Sequence, residues 1–365
     1  MAWMKPSESL AKLPELLRHN RFSFTFDGVP LNSEDLSYRK KANLMKIGME
    51  MMMRSARSHG LPPTIQIEPT NVCNLACPLC PSGTGTMKRP KGFMSMETFH
   101  KILDELQEVL LSVFLYGWGE PFLNQQLPQM IEACTARKIL SLTDTNGQCL
   151  QSYDKALRVV DSGLTAIIIA LDGNTQETYQ MYRMRGDVEK VKRCIRFLGE
   201  AKAKRNSQTP YICVRTIVTH DNEQELTEIE SLSRELGADM FSYKTVGMQP
   251  QKERFKDYEP DDYHMRRFEY KESIRISRDP IKCPFPIRQP TVFWDGTVVG
   301  CEYDYDLDQA WGNVGDQSLA EIWKGPQAKK LRRSIYQGSR GSFCHRVCPY
   351  QDRVQNSSYL VCKEL

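Results

Sequence analysis

From residue 65 onward, hydrophobic positions alternate between two rhythms. Short β-branched runs at Thr64–Glu68, Val113–Tyr116, Ile139–Thr143, Thr165–Leu171, Tyr211–Thr219 and Met240–Val246 read as strands. Between them Met96–Leu111, Leu127–Arg137, Tyr153–Ser162, Val188–Lys204 and Asn222–Leu236 read as helices. In the first of these, Phe99, Ile102, Leu103, Leu106 and Leu110 recur at helical spacing. Six strand units predict a parallel sheet wrapped by helices. Six is short of the eight that close a barrel, so the expected fold class is α/β, a partial (β/α)6 TIM-like barrel. Sites in such sheets gather at the carboxyl ends of the strands.

The flanks differ in pattern. Residues 1–64 form an N-terminal extension with an amphipathic helix over Tyr38–His59, whose Met45, Met49, Met52 and Met53 share a face. A methionine stripe reads as packing material, with a membrane-surface or lipid-substrate role as the alternative. Residues 65–250 hold the barrel. Residues 251–280 read as a charged, proline-bearing linker with a helix over Asp261–Tyr270, and residues 281–365 as a small C-terminal β-hairpin and helix domain. There, Asp295-Gly296 between two β-rich runs is a hairpin signal, and Ser318–Gly325 and Gln327–Tyr336 read as helices.

Composition narrows the function classes. The chain has 365 residues, 40% hydrophobic and 26% charged, with a net charge of +4 and no basic tail, which argues against a nucleic-acid partner. Its longest strongly apolar run, Ala166–Leu171, is too short to cross a bilayer. The N-terminus shows no signal-peptide pattern. Twelve cysteines in a chain this large need not be disulfide staples, and a cytoplasmic location is expected.

Three cysteines carry the chemistry. Glu68-Pro-Thr-Asn-Val-Cys73-Asn-Leu-Ala-Cys77-Pro-Leu-Cys80 is a Cys-x3-Cys-x2-Cys run just after the first barrel strand. Thiolates hold iron–sulfur clusters, usually four per cluster, so three leave one iron open to a ligand. A structural zinc site would need a fourth local ligand, and the next histidine is His100. The run resembles the signature of radical S-adenosylmethionine (SAM) enzymes. The resemblance implies a 4Fe–4S cluster on Cys73, Cys77 and Cys80, whose open iron chelates SAM.

Other segments fall where that family would place them. Gly117-Trp118-Gly119-Glu120-Pro121 resembles the family's Gly-Gly-Glu-Pro segment, with Trp118 in place of the second glycine. The resemblance implies that Gly117, Gly119 and Glu120 contact the SAM amino group. It likewise points to Asn146 of Asp144-Thr145-Asn146-Gly147 and to Asp172 as SAM contacts. Arg215, inside the fifth strand, is a candidate for the SAM carboxylate, with a structural ion pair as the alternative. Lys244 is a weaker candidate for a substrate contact.

Cys283, Cys301, Cys344 and Cys348, with Cys362 as a spare, resemble the auxiliary-cluster extension known as SPASM, in its shortened twitch form. That implies one auxiliary 4Fe–4S cluster; a zinc ribbon on the same four residues is the competing reading. Cys134, Cys149, Cys194 and Cys213 read as ordinary buried residues.

The family's chemistry is reductive cleavage of SAM to a 5′-deoxyadenosyl radical, which takes hydrogen from an unactivated carbon. It implies a reductant such as flavodoxin or ferredoxin. The short extension, and the lack of a plain peptide-binding domain, favour an oxidoreductase acting on a carbohydrate-like small molecule, with the auxiliary cluster accepting an electron. The alternatives are a peptide- or protein-modifying maturase, an epimerase, a lipid-modifying enzyme, or a non-enzymatic iron–sulfur or zinc protein.

Overall fold

The computed structural model describes residues 13–246, 256–271, 274–276, 283, 285–339, 344, 348 and 360–365. The chain opens with helix α1 (Leu13–Arg18), an antiparallel hairpin of β1 (Phe22–Phe26) and β2 (Val29–Ser33), and helix α2 (Tyr38–Met52). The barrel strands are β3 (Thr64–Ile67), β4 (Ser112–Leu115), β5 (Leu140–Thr145), β6 (Ala166–Ala170), β7 (Tyr211–Val218) and β8 (Met240–Thr245). Between them run α3 (Met96–Leu106), α4 (Leu127–Ala136), α5 (Tyr153–Asp161), α6 (Gln176–Tyr182), α7 (Val188–Lys204) and α8 (Leu226–Glu235). All six strands are parallel and in chain order, as their periodicity predicts.

The hairpin was not expected from the sequence, although Phe22-Ser-Phe-Thr-Phe alternates and Asp27-Gly28 supplies the turn. Both turn residues have positive φ, 51° and 85°, as a type I′ turn requires. The hairpin occupies the concave face of the sheet. Phe26, Val29 and Leu31 pack on Phe114, Leu142, Ile168, Cys213 and Met240, one residue from each of five successive strands. The Phe26 and Phe114 rings lie 4.0 Å apart. The alternate residues, among them Val113, Leu115, Ile167, Ile169 and Val214, face the helices. Strand period two thus sorts each strand between an outer helical core and an inner plug.

The C-terminal hairpin joins the barrel instead of standing apart. Strands β9 (Thr291–Val292) and β10 (Thr297–Val299) flank the Asp295-Gly296 turn, and β11 (Ala310–Asn313) follows. Strand β9 pairs in parallel with β3, and β12 (Leu360–Glu364) pairs antiparallel with β8. One ten-stranded sheet results, in the order β11-β10-β9-β3-β4-β5-β6-β7-β8-β12. Helices α9 (Leu319–Lys324) and α10 (Pro326–Tyr336) cover its auxiliary end.

Two expectations need correcting. The predicted helix over Asp261–Tyr270 is one 3-10 turn at Tyr263–Met265, followed by extended chain at Tyr270–Lys271. The methionine face of α2 is not packing material: Met45, Met49, Met52 and Met53 are all exposed. The helix buries Lys40, Asn43, Ile47 and Glu50 in their place, because each polar member of that face finds a partner inside.

Candidate active site and metal centres

The loop that carries Cys73, Cys77 and Cys80 leaves the carboxyl end of β3. Cys80 precedes one short helical turn, Pro81–Thr84, and its carbonyl accepts the Thr84 N–H at 2.9 Å. A Cβ at Gly83 would lie 2.5 Å from the Cys77 carbonyl oxygen, so the turn can close over Cys77 only with glycine there. Donors surround the sulfurs. The Leu75 N–H lies 3.5 Å from Cys73 Sγ, Asn146 Nδ2 3.9 Å from the same atom, and Arg183 Nη1 3.8 Å from Cys77 Sγ.

Burial pushes the Cys73 thiol up to about 12, and the negative neighbours Glu120, Cys77 and Cys80 add to that. Burial also raises Cys77 and Cys80. Thiolates are therefore stable together here only against a compensating cation. Three cysteines at one strand end, with N–H donors aimed at sulfur, are the donor set a cluster with one open iron needs.

Glu120 is almost fully buried beside this loop. Its carboxylate accepts hydrogen bonds from Thr145 Oγ1 at 2.7 Å, the Asn146 N–H at 2.7 Å and the Phe122 N–H at 3.2 Å. Burial outweighs these bonds and pushes Glu120 up to about 7. Asn146 joins the two halves of the site: its backbone holds Glu120 while its side-chain amide reaches Cys73.

Gly117 and Gly119 are needed for a reason the sequence did not show. A Cβ at Gly117 would lie 2.6 Å from Glu68 Cγ, and one at Gly119 would lie 2.6 Å from Val72 O. The close approach is to the cysteine loop itself, and the Glu120 N–H donates to Val72 O at 2.8 Å.

Asp172 is fully buried, paired with Arg183, and accepts the Ile217 N–H at 2.6 Å. It thereby aims Arg183 toward Cys77. No spacing in the sequence singles out Arg183. Arg215 donates through Nη1 to Asp27 Oδ2 at 2.8 Å and through Nε to Ser242 Oγ at 3.0 Å. Lys244 Nζ donates to the same Asp27 oxygen at 2.7 Å. Burial disfavours the Asp27 carboxylate, but Lys244 and Arg215 outweigh burial and hold it far below the usual carboxylate range. The hairpin turn therefore engages both interior cations of β7 and β8.

Asp144 lies two residues beyond Leu142 on the inner face of β5. Its carboxylate accepts no hydrogen bond from the described residues. Burial pushes it up to about 8, with Glu120 and Glu302 adding to the shift. The sequence presents it only as part of an Asn-Gly turn.

Cys283, Cys301, Cys344 and Cys348 form the second group. The Cys348 N–H donates to Cys344 O at 3.2 Å. Burial and then Cys348 push Cys283 up to about 12, and burial and then Cys283 raise Cys301 well above the usual thiol range. Among the described residues, no three such side chains converge closely enough for a single metal ion. Cys362 stands elsewhere, on β12 opposite Ser242 and against Gly28, where its electrostatic neighbours are Arg215, Cys213 and Asp27. The two cysteine regions meet through Trp118, whose Nε1–H donates to Glu302 O at 2.7 Å and whose ring meets Tyr305 edge-on at 5.1 Å.

The profile of the radical SAM superfamily matches residues 67–232, which include the three cysteines, Glu120 and Asn146. An iron–sulfur cluster-binding domain, SPASM, matches residues 283–349. This chain is a radical SAM protein with a SPASM-type auxiliary domain. Its cofactors are SAM, a 4Fe–4S cluster and auxiliary iron–sulfur, which sets aside the zinc-ribbon reading.

The chain is 30% identical over 185 residues to mycofactocin maturase MftC of Mycobacterium ulcerans, covering 49% of this chain and 47% of that protein. It thus spans about half the length of that relative. It is 24% identical over 294 residues to the tungsten-containing aldehyde ferredoxin oxidoreductase cofactor-modifying protein of Pyrococcus furiosus, covering 71% of this chain and 80% of that one. The fold is shared with Streptococcus suis SuiB at a TM-score of 0.61 and 15% identity, over 96% of this chain and 82% of that chain. No helix among the described residues is long and apolar enough to cross a membrane.

Proposed function

We propose that this radical SAM enzyme is a maturase that modifies a carbon of a peptide or protein side chain. The carrying observation is the Asn146 bridge, with its backbone N–H on Glu120 at 2.7 Å and its amide 3.9 Å from Cys73 Sγ. A SAM molecule whose amino group meets Glu120 lies directly against the cysteine loop. When bound, the cluster and SAM supply one-electron cleavage and a hydrogen-abstracting 5′-deoxyadenosyl radical. The residues of this chain orient and enclose. Glu120 holds the ammonium, Asn146 fixes Glu120, and Arg183 donates toward Cys77. Asp144 faces the interior with a free carboxyl that can hold or accept a substrate proton.

The peptide reading replaces the preference for a carbohydrate-like substrate. It is supported by the similarity to a mycofactocin maturase and to a cofactor-modifying protein, both of which modify a precursor by name. Two-electron oxidation with the auxiliary cluster as acceptor is the reaction class proposed with it.

The test uses anaerobically purified holoenzyme. Iron and sulfide are measured, and 5′-deoxyadenosine is assayed with and without SAM and reductant. Deuterium transfer into 5′-deoxyadenosine is then compared between a deuterated peptide pool and a deuterated sugar pool. Changing Cys73, Cys77 and Cys80 together to Ala should abolish 5′-deoxyadenosine; activity surviving in that variant rejects the radical mechanism. Label arriving from sugars alone rejects the peptide substrate and leaves the radical chemistry standing.

A further inference from the structure

Helix α2 is built inside out. Its buried face carries Lys40, Asn43 and Glu50 beside Ile47. Each polar group there is satisfied. Lys40 Nζ donates to Lys138 O at 3.2 Å, Asn43 exchanges two bonds with the Leu61 backbone at 2.8 Å each, and Glu50 accepts from Ser58 Oγ and from the His59 and Gly60 N–H groups. Its outward face is the apolar one. Tyr38 is 82% exposed, Met45 42%, Met49 47%, Met52 56% and Met53 71%. At about 100° per residue, Tyr38, Met45, Met49 and Met52 fall within one narrow stripe of the helix. An amphipathic helix that packs on a core turns its apolar side inward, so core packing does not explain this arrangement.

The charges bordering the stripe have one sign. Arg39, Lys41 and Lys46 flank it, and the only acidic residue of the helix, Glu50, is buried on the opposite side. The basic surface continues past the helix end. Exposed Arg54 donates to the Tyr336 carbonyl of α10, and α10 carries Lys329, Lys330 and Arg333 with no acidic residue. Arg39 makes one rim contact, with Glu108 at 3.7 Å. A second copy of the chain is a poor occupant, because symmetric pairing would set Lys41 and Lys46 against like charges. A broad basic margin around a shallow apolar stripe fits an anionic plane.

We infer that the outward face of α2 docks the protein on an anionic lipid surface. The methionines and Tyr38 enter the interfacial layer, and Lys41, Lys46 and Arg54 meet the headgroups. The contact is peripheral and reversible, since one short stripe supplies only partial burial. It is independent of the radical chemistry.

The experiment is flotation of the full-length holoenzyme with vesicles of phosphatidylcholine alone or mixed with phosphatidylglycerol. The expected result is binding to the anionic vesicles only, weakening as salt is raised. Met45→Glu with Met49→Glu should lower partitioning about tenfold or more. Removing Lys41 and Lys46 should lower it roughly fivefold each. All four side chains point outward, so iron content and thermal melting should stay at wild-type values and certify the fold. Absence of wild-type binding to anionic vesicles overturns the inference, as does equal binding by the methionine double variant. A wild-type dimer that the same double variant converts to monomer also overturns it, and names a second copy as the occupant.

Discussion

Glu68 and Arg89 form a doubly hydrogen-bonded ion pair, 3.0 Å at each contact, with both side chains almost wholly buried. The Arg89 guanidinium lies 3.8 Å from the centroid of the Phe293 ring and also donates to the Tyr305 carbonyl. Glu68 also accepts the Trp118 N–H at 3.3 Å and the Trp294 N–H at 3.4 Å. One pair therefore ties the end of β3, the loop after the cysteines, the Glu120 segment and the auxiliary hairpin together. Gly117 makes room for it. The coupling between the two metal regions rests on this contact and on Trp118.

Removing one member strands the other as a buried charge. Glu68→Ala should cost about 3–5 kcal/mol of stability. Glu68→Met with Arg89→Met should cost much less, because no charge is left unpaired. Anaerobic urea denaturation of the three proteins checks this, and equal losses in both variants would show that the pair is not what holds the junction.

Glu120 makes the SAM-free protein pH-sensitive. Its folded-state pKa is raised from 4.5 to about 7, so its native state favours the protonated form. That stabilisation is full below about 4.5 and is lost as pH rises through 7, on the order of 3 kcal/mol in all. Glu120→Gln should therefore be more stable than wild type at pH 8 and nearly equal to it at pH 4.5. The same variant should bind SAM more weakly by about 1.5–3 kcal/mol, through loss of a charge-assisted bond. Calorimetry across this pH range, with and without SAM, reads both effects, and a SAM affinity unchanged by the substitution would remove Glu120 from the cofactor site.

Arg215 decides between a cofactor contact and an anchor for the hairpin. Its donors are engaged by Asp27 and Ser242, so Arg215→Met should expose the β1–β2 hairpin to protease and leave SAM affinity within about twofold of wild type. A tenfold weaker SAM affinity with an unchanged digestion pattern would restore it as a carboxylate ligand.

The auxiliary site has a compositional readout. Changing Cys283 and Cys301 to Ala should lower iron to about one cluster per chain while SAM cleavage stays detectable. The double variant should also unfold more easily, since a metal group bound only by the folded chain adds to its stability. Cys362→Ala should leave iron unchanged, because that thiol stands by Gly28 and Ser242.

Local pattern was enough for the parallel strands and their order, the position of Cys73, Cys77 and Cys80 after β3, and the Asp295-Gly296 hairpin. Each depends on periodicity, turn chemistry or ligand spacing within a few residues. Other features depend on pairs far apart in the chain. Asp27 meets Arg215 and Lys244 across 188 and 217 positions. Glu68 holds Trp118 and Trp294 across 50 and 226. No local rule selects such partners. Tertiary structure also decided which face of α2 is buried. The methionine stripe is plain in the sequence, but its outward direction follows from Lys40, Asn43 and Glu50 finding partners within the fold, and burying a satisfied polar group costs little.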